Sequence, residues 1–422
     1  MNRDTRFFLG ASAVSFVGDG VRYAALPLLA AQAGAGAVGL GVLLGFATLP
    51  FLVLGIFGGV LADRMRRRSL LIACDALRFG ITASFTVLVL LDVTHLPVLC
   101  AVAFLMGLLE SVATSATFAF LPSLVRDKHL ERTNGMSSTA LMVGRQFLGP
   151  LLGAALVGIA PAAPFLVDAA TFLISLLLVR AVPASVEAGP EAVEHRRGPR
   201  AVLADVRVST RWMRRTPHVL TIACTAGAIN LFNMGALAIQ PLFATEVLGG
   251  PAIVYGLMMA AAALGGVAGA QAAGRLAQSL TSSRMVCLAL LCIGVGSLVV
   301  SAAPHQAVAY LGLMLSGFGF STWGVATTSW RQRLTPDNLR GRADALHRMI
   351  AWGVNPAGSA LGGLLASHGG ARLPYLLVGI APLLLLPLYA RRNDTATAAG
   401  PEGTDHATRR DEPLEGAERP GA

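Results

Sequence analysis

Seven ionisable residues interrupt long apolar runs in the first half of the chain. If these runs cross a membrane, each charge inside them is costly and marks a functional site by default. The apolar runs of the second half carry uncharged amides instead, among them Asn230, Asn233, Gln240 and Asn355. This asymmetry predicts that the first half handles ions and that the second half forms a neutral wall. The seven residues are Asp19, Arg22, Asp75, Arg78, Glu110, Arg145 and Asp168.

Asp19 and Arg22 are spaced to lie on the same face of a helix. Asp19 comes about twelve residues into its apolar run, which is about 18 Å along a helix and close to the middle of a membrane. Asp75 and Arg78 repeat the spacing nearer the end of their run, where a structural ion pair is the favoured interpretation. A buried carboxylate that faces each side of a membrane in turn can carry a proton.

Glu110 has no charged neighbour at helical spacing, so it joins Asp19 as a leading candidate for proton coupling. Purely structural roles for both carboxylates are an equal alternative. Asp168 is a third candidate, placed nearer the outer end of its run. Arg145 needs a carboxylate partner if it is buried, and either Glu110 or Asp19 could provide one.

The composition identifies the setting of these charges. Of the 422 residues, 54% are hydrophobic and only 13% are charged. Soluble globular proteins carry about 25% charged residues, so a protein of membrane-spanning helices is the simplest explanation. The apolar runs are too long and continuous for the short alternating strands of a membrane barrel.

The net charge of +10 raises the question of a nucleic-acid partner. Arginine collected in cytoplasmic loops explains the charge better, and we expect no nucleic acid to bind. The five cysteines lack metal-ligand spacing, and no phosphate-binding loop for ATP is present. We therefore expect neither a metal nor a cofactor, and no enzymatic activity. The first apolar run contains charges, so we expect it to be retained rather than cleaved as a signal peptide.

Twelve segments are long and apolar enough to span a bilayer, which takes about 20 residues. They are residues 7–30, 38–61, 69–91, 96–120, 137–160, 163–181, 218–243, 253–274, 284–303, 306–329, 347–367 and 372–390. Arginine-rich connections alternate with connections of low charge along the whole chain. One missed helix would invert half of this pattern, so the alternation supports twelve spans. The positive-inside rule then predicts that both termini are cytoplasmic.

The longest connection divides the chain into two bundles of six spans. We expect an N-terminal bundle at 1–181, a cytoplasmic linker at 182–217 and a C-terminal bundle at 218–392. Within the linker, residues 200–215 predict a basic helix on the membrane surface. The polar residues 393–422 predict a disordered cytoplasmic tail.

A short charged segment connects the second and third spans. Its main residues are Gly59, Asp63, Arg64, Arg67 and Arg68. It resembles the signature loop of the major facilitator superfamily, except that Arg66 stands where the family has a glycine. The arginines predict a cytoplasmic position. We also predict that Asp63 meets the positively polarised N-terminus of the eleventh span, as a latch that closes the cytoplasmic side.

A second motif lies in the fifth span. It consists of Gly144, Gly149, Pro150 and Gly153. It resembles the antiporter motif of the same superfamily, with Ala154 at the position of the last glycine. Small residues at this spacing allow two helices to approach closely, and ordinary packing is the alternative interpretation.

The pair Asp75 and Arg78, the sixth-span Asp168 and the segment 340–342 resemble the macrolide-efflux and enterobactin-exporter branch of the drug:proton antiporters. The resemblance implies the major facilitator fold, an all-α membrane protein of twelve spans in two pseudo-symmetric bundles. It implies a monomer in the inner membrane of a bacterial cell. It also implies export of small amphipathic molecules, driven by the proton gradient through alternating access.

Transporters that are built from two such similar bundles bind their substrate near the middle of the membrane, between the two halves. A proton-coupled importer of the same fold is an alternative to an exporter. A non-transporting receptor or a membrane-embedded enzyme comes from a different class, and the enzyme would need clustered histidine, aspartate or cysteine residues that the sequence lacks. The candidates for the substrate cavity are Asn230, Asn233, Gln240, Trp323 and Asn355.

Overall fold

The computed structural model describes residues 3–62, 67–125, 127–183 and 199–390. All regular secondary structure within these residues is helical. The predicted tail at 393–422 and the loop residues Asp63 and Arg64 lie outside the described residues.

The first half contains α1 to α7. Their bounds are α1 Arg3–Gln32, α2 Gly36–Ala62, α3 Arg67–Leu90, α4 Leu96–Leu124, α5 Asp127–Leu141, α6 Gly149–Ile159 and α7 Ala163–Arg180. A π-helical segment, Met142–Leu148, joins α5 to α6, so these three pieces together form the predicted fifth span. Such π segments are rare and often occur at functional sites.

The second half contains α9 to α16, preceded by the linker helix α8. Their bounds are α8 Pro199–Arg215, α9 Pro217–Leu242, α10 Ala252–Ser279, α11 Ser282–Ala302, α12 Gln306–Leu334, α13 Arg340–Gly353, α14 Asn355–Gly369, α15 Arg372–Leu385 and α16 Pro387–Ala390. Helix α8 covers the predicted basic segment. Near its end, Met213 is buried against Val219 and Leu346, so this end packs on the second half.

Nine helices of the described chain are long and apolar enough to cross a membrane. The other three predicted spans correspond to α1, to α2 and to the pair α13 and α14. Helix α1 carries several charges, and the α13–α14 span is interrupted at Val354, so neither forms one uninterrupted apolar helix. The total of twelve spans stays a prediction.

Successive spans, with α5–α6 and α13–α14 each counted as one span, alternate in direction, so the connections between spans lie at two opposite faces. One face, called the short-connection face here, has tight connections such as 33–35, 160–162 and 370–371. In two of these, Gly34 and Gly370 have φ angles of 78° and 76°, which side chains with a Cβ rarely adopt. The other face carries the arginine-rich helix ends and is called the arginine-bearing face.

The two halves meet through α2 against α14 and through α6 against α10. A methyl group on Gly41 of α2 would lie 2.6 Å from the carbonyl oxygen of Ser359 on α14. A methyl group on Gly256 of α10 would lie 2.9 Å from the carbonyl oxygen of Pro150 on α6. Both glycines lie toward the short-connection face, because each is in the first turns of its helix.

Candidate functional site

The fold brings all seven predicted ionisable residues of the first half together. Helix α1 contributes two of them, α3 two, α4 one, the π segment one and α7 one. They form one set of ion pairs, called the ion-pair network here. The members are Asp19, Arg22, Asp75, Arg78, Glu110, Arg145 and Asp168.

Arg22 lies at the centre of the network. One terminal nitrogen, Nη2, is 3.0 Å from Oδ1 of Asp19 and 3.3 Å from Oε2 of Glu110. Its Nε is 3.4 Å from Oδ2 of Asp168, whose side chain is fully enclosed. A planar guanidinium presents five N–H donors in a fixed fork. Arg22 donates hydrogen bonds to Asp19 and Glu110, and it contacts Asp168 as an ion pair without a hydrogen bond. Arg22 therefore ties α1 to α4 and α7.

Arg78 connects α3 to α1. Its Nη2 donates to Oδ1 of Asp19, and its Nη1 lies 3.9 Å from Oδ1 of Asp75. The guanidinium also stacks over the ring of Phe172, 4.1 Å from the ring centroid. Asp75 accepts a 2.7 Å hydrogen bond from the hydroxyl of Ser175 on α7. Asp75 and Arg78 are thus part of the larger network rather than an isolated pair.

Glu110 links the network to the fifth span. Its carboxylate pairs with Nη1 of Arg145 as well as with Arg22. The Arg145 side chain is 28% exposed, whereas that of Glu110 is only 7% exposed. Arg145 lies in the π segment, where the widened turn changes the direction of side chains relative to an α-helix. Arg145 is therefore the network member that also reaches open space.

The charges of the network do not balance. Four carboxylates stand against three guanidinium groups, so the fully ionised network has one excess negative charge. A buried, uncompensated charge is strongly unfavourable. One proton on any of the four carboxylates would neutralise the set.

The glycines of the fifth span bring this span onto α1. A methyl group on Gly149 would lie 2.5 Å from the Cα of Gly20, and one on Gly144 would lie 3.2 Å from the backbone nitrogen of Val17. Gly153 faces the backbone of Val21 in the same way. The glycines of this motif thus make a backbone-to-backbone contact inside the first half, directly beside Arg22.

Ala154 stands where the resembling motif has its last glycine, and the facing helix compensates for the extra methyl group. Ala154 is fully buried, and its Cβ lies opposite Gly256 of α10. A methyl group on Gly256 would lie 2.8 Å from that Cβ. The second half supplies the missing space at this contact between the halves.

A cavity of about 490 Å³ lies beside Arg145, large enough for a drug-sized molecule. The first half contributes Tyr23, Arg145 and Gln146 to its wall, and Arg145 is the charged residue among those that line it. The second half contributes most of the remaining wall. These residues include Asn233, Gln240, Met259, Ser297, Ser316, Phe320, Ser321 and Tyr375.

Two of the five predicted cavity residues line this wall, Asn233 and Gln240. The amide oxygen of Gln240 is buried without a hydrogen-bond partner among the described residues, so it is available to a bound molecule. Trp323 does not line this wall, because its side chain is only 8% exposed and packs edge-on against Tyr389, at 6.1 Å between ring centroids. Asn230 and Asn355 likewise fall outside the wall.

Sequence reasoning missed Ser175, Tyr23 and Tyr375 as site residues. A hydroxyl gives no signal of its own in a sequence, because most hydroxyls in membrane helices bond back to a carbonyl one turn earlier, as Thr86 does to Thr82. For Ser175 a signal did exist, since it is seven residues after Asp168 on the same helix face.

The signature-loop residues are only partly described. Arg67 and Arg68 begin α3, and Arg68 donates to the backbone oxygens of Val182 and Arg180 at 2.8 Å and 2.9 Å. These bonds join the start of α3 to the end of α7 within the first half. Gly59 lies in α2, and the latch predicted for Asp63 lies outside the described residues.

Comparison with known proteins identifies the family of this chain. A family profile described as transmembrane secretion effector, MFS_3, matches residues 2–401. The chain belongs to this family, and it is therefore a transporter of the major facilitator superfamily and not an enzyme. A transporter of this kind has a small-molecule substrate and crosses the membrane several times.

Characterised relatives are distant but span most of the chain. The multidrug efflux pump Tap of Mycolicibacterium fortuitum is 23% identical over 389 residues, covering 90% of this chain and 93% of the relative. The staphyloferrin A transporter of Staphylococcus aureus is 24% identical, with coverages of 91% and 95%. The enterobactin exporter EntS of Escherichia coli O6:K15:H31 is 26% identical, with coverages of 81% and 83%.

Solved structures share the fold at still lower identity. The nucleoside transporter NupG superposes with a TM-score of 0.69 at 10% identity, covering 92% of this chain and 98% of NupG. A bacterial homologue of the lysosomal transporter Spinster, in an inward-facing state, gives 0.69 at 14% identity, with coverages of 92% and 96%. The D-xylose-proton symporter gives 0.65 at 15% identity, with coverages of 92% and 96%. These likenesses establish the major facilitator fold.

Proposed function

We propose that this transporter exports small amphipathic molecules in exchange for protons. One observation carries the proposal: the buried network has one carboxylate more than it has arginines, and Arg145 connects it to the large cavity. The network is the proton site and the cavity is the substrate site. The energy source is the proton gradient, and no cofactor takes part.

Arg145 explains how proton and substrate exclude each other. With Glu110 ionised, Arg145 is held on that carboxylate, at the wall of the cavity. With Glu110 protonated, the ion pair loses its charge attraction and Arg145 turns into the cavity. An apolar or cationic substrate then meets an unpaired positive charge and leaves. Each ligand thus favours a different arrangement of Arg145, as coupling requires.

Alternating access of the cavity to the two sides of the membrane gives substrate transport its direction. The close glycine contacts between the halves lie toward the short-connection face, at Gly41 with Ser359 and at Gly256 with Pro150. Substrate enters from the arginine-bearing face, which the positive-inside rule makes cytoplasmic, with both termini on that side. Rocking of the two halves then opens the other face, where protons enter and substrate leaves. The chain works as a monomer in the bacterial inner membrane.

The relatives favour export, since two of them are named as an efflux pump and an exporter. Import is the second candidate, because the fold also serves the D-xylose-proton symporter. In an importer the proton and the substrate would bind together, and the exclusion by Arg145 would be absent. A non-transporting receptor would work without a proton site.

The test uses purified protein in liposomes with an imposed pH gradient and a panel of amphipathic dyes. We expect the gradient to drive dye movement opposite to the protons, and we expect Asp19→Asn and Glu110→Gln to abolish this coupling. A matched control is Asp344→Asn, which removes a carboxylate paired with Arg331 outside the network. Equal dye movement with and without the gradient would refute proton coupling. Normal coupling in both network variants would refute the assigned site.

A further inference from the structure

A second, smaller cavity lies inside the first half, apart from the substrate cavity. Helices α1, α3, α4 and α7 enclose it, and its volume of about 30 Å³ has room for an ordered water. A water there needs two or more polar partners, and five hydroxyl groups line the wall. They belong to Ser12, Ser15, Thr114, Thr117 and Ser175.

This water pocket begins at the network and runs toward the arginine-bearing face. Asp19, Asp75, Arg78 and Glu110 line its deep end. The residues of α1 that line it run from Asp19 back to Phe8, which is toward the arginine-bearing face. The starts of α1 and α3 and the ends of α4 and α7 all lie at that same face.

Asp75 is the carboxylate of the network that lies farthest from an arginine nitrogen. Its closest arginine nitrogen is 3.9 Å away, whereas Asp19 and Asp168 have one at 3.4 Å or less and Glu110 contacts two arginines. Asp168 is fully enclosed and does not line the pocket. Asp75 therefore combines the longest arginine contact of the four carboxylates with direct access to the pocket, where it accepts a hydrogen bond from Ser175.

We propose that Asp75 is the residue through which the network exchanges its proton with the cytoplasm, by way of this water pocket. The step breaks the O–H bond of the Asp75 carboxyl group and forms a hydronium ion from a pocket water, which leaves Asp75 as a carboxylate. The inference rests on the proposed function, because the proton released is the one that the antiport brings in. It also makes the proton route separate from the substrate route between the halves.

The groups that face Asp75 come from every helix around it. Arg78 on α3 is its ion-pair partner, and Asp19 on α1 and Glu110 on α4 are the other carboxylates that line the same pocket. Ser175 on α7 donates to the ionised oxygen. On the far side of the pocket, Phe8, Leu71 and Val179 are buried apolar residues that limit wetting. Proton release through this end is therefore gated by how closely these helices pack.

Infrared difference spectroscopy tests the assignment without any substrate. The wild-type protein in lipid nanodiscs is brought from alkaline to acidic pH, and the carbonyl stretch of a protonated carboxyl group is recorded. We expect this band to disappear in Asp75→Asn, to shift in Asp75→Glu and to stay in Asp344→Asn. A band that is unchanged in Asp75→Asn and in Asp75→Glu overturns the proposal.

The route is tested by the rate at which the same band shifts after transfer to heavy water. Thr117→Val keeps the side-chain shape but removes a pocket hydroxyl, and we expect exchange to slow several-fold. Thr86→Val is the control, since Thr86 is buried on α3 but bonded to its own helix. Unchanged exchange in Thr117→Val overturns the pocket route.

The two proposals fail separately. Dye movement that ignores the pH gradient, together with a band that follows Asp75, refutes antiport but leaves the exchange residue in place. Gradient-driven dye movement with a band that does not follow Asp75 refutes only the exchange residue.

Discussion

The two halves of this transporter stabilise their interiors in different ways. The first half joins α1, α3, α4, α7 and the π segment by three arginines and four carboxylates, and of these seven side chains only that of Arg145 is not buried. The helices of the second half are joined by close contacts of small residues and by hydroxyl groups. A methyl group on Gly296 of α11 would lie 2.6 Å from the carbonyl oxygen of Gly312 on α12, and Thr322 of α12 donates to the carbonyl oxygen of Gly269 on α10.

The difference indicates that the two halves have different roles. Contacts between small residues have one close arrangement and no charge to change, so they suit a rigid wall. Ion pairs change their strength whenever one carboxylate gains a proton, so they suit a switch. The mobile element of the mechanism is therefore expected in the first half, at Arg145, while the second half supplies most of the cavity wall.

The largest effect is expected from Arg22→Gln, which removes the centre of the network. It leaves Asp19, Glu110 and Asp168 with less positive charge, and breaking a buried ion pair costs about 3–5 kcal/mol. Thermal unfolding of the purified protein measures the loss. The double variant Arg22→Gln with Asp168→Asn should recover part of it, since one uncompensated charge is removed. A single variant as stable as the wild type would contradict the role of Arg22.

The next effect concerns the switch itself. Arg145→Gln removes the group that responds to Glu110, so substrate binding should no longer depend on pH. In the wild type, binding of a transported dye should weaken about tenfold as the pH falls, within the usual range of coupling between two sites. Equilibrium binding at two pH values measures both. A wild type without this pH dependence would contradict the exclusion by Arg145.

A smaller effect is expected from Gly149→Ala, which tests packing without changing charge. The added methyl group would lie 2.5 Å from the Cα of Gly20, and such overpacking costs about 1–3 kcal/mol. Gly158→Ala on the same helix is the control, because nothing lies within 4 Å of its added methyl group. This control should be neutral or stabilising, by up to about 1 kcal/mol from helix propensity. Equal stability of the two variants would contradict the close contact.

The smallest effect is expected from the neutral wall. Gln240→Leu replaces a buried amide whose oxygen has no partner among the described residues, so folding should change little. The variant should alter which dyes are transported and leave the coupling to protons intact. Transport assays with the dye panel, with and without the gradient, separate these outcomes. Loss of proton coupling in Gln240→Leu would contradict the proposal that only the first half takes part in coupling.

Much of the site could be predicted from the sequence because charge is rare in membrane helices. Asp19, Glu110 and Arg145 stand out in an apolar background, and each lies in the network. The partner of Arg145 could not be chosen, since Glu110 and Asp19 are both far away along the chain. Trp323 was assigned to the cavity because an aromatic residue looks the same in a sequence whether it faces a cavity or another ring.

For the glycine motif as well, the sequence predicts a contact but not the helix that makes it. The spacing of Gly144, Gly149 and Gly153 predicts a close helix contact, but it does not name the partner helix. The contact is made by α1, and Ala154 instead faces Gly256 in the other half. Local spacing determines which face of a helix carries only small residues. Which helix packs against that face depends on where distant helices are placed.

The sequence by itself determined the membrane setting, the asymmetry of charge between the halves and the residues of the ion-pair network. These depend on composition and on periodicity along one helix, which a linear chain records directly. The tertiary structure alone decided that four carboxylates share three arginines, that Arg145 faces the large cavity and that Asp75 faces the small one. Distances between side chains on different helices depend on how those helices pack, and the physical reason is that no local pattern encodes such packing.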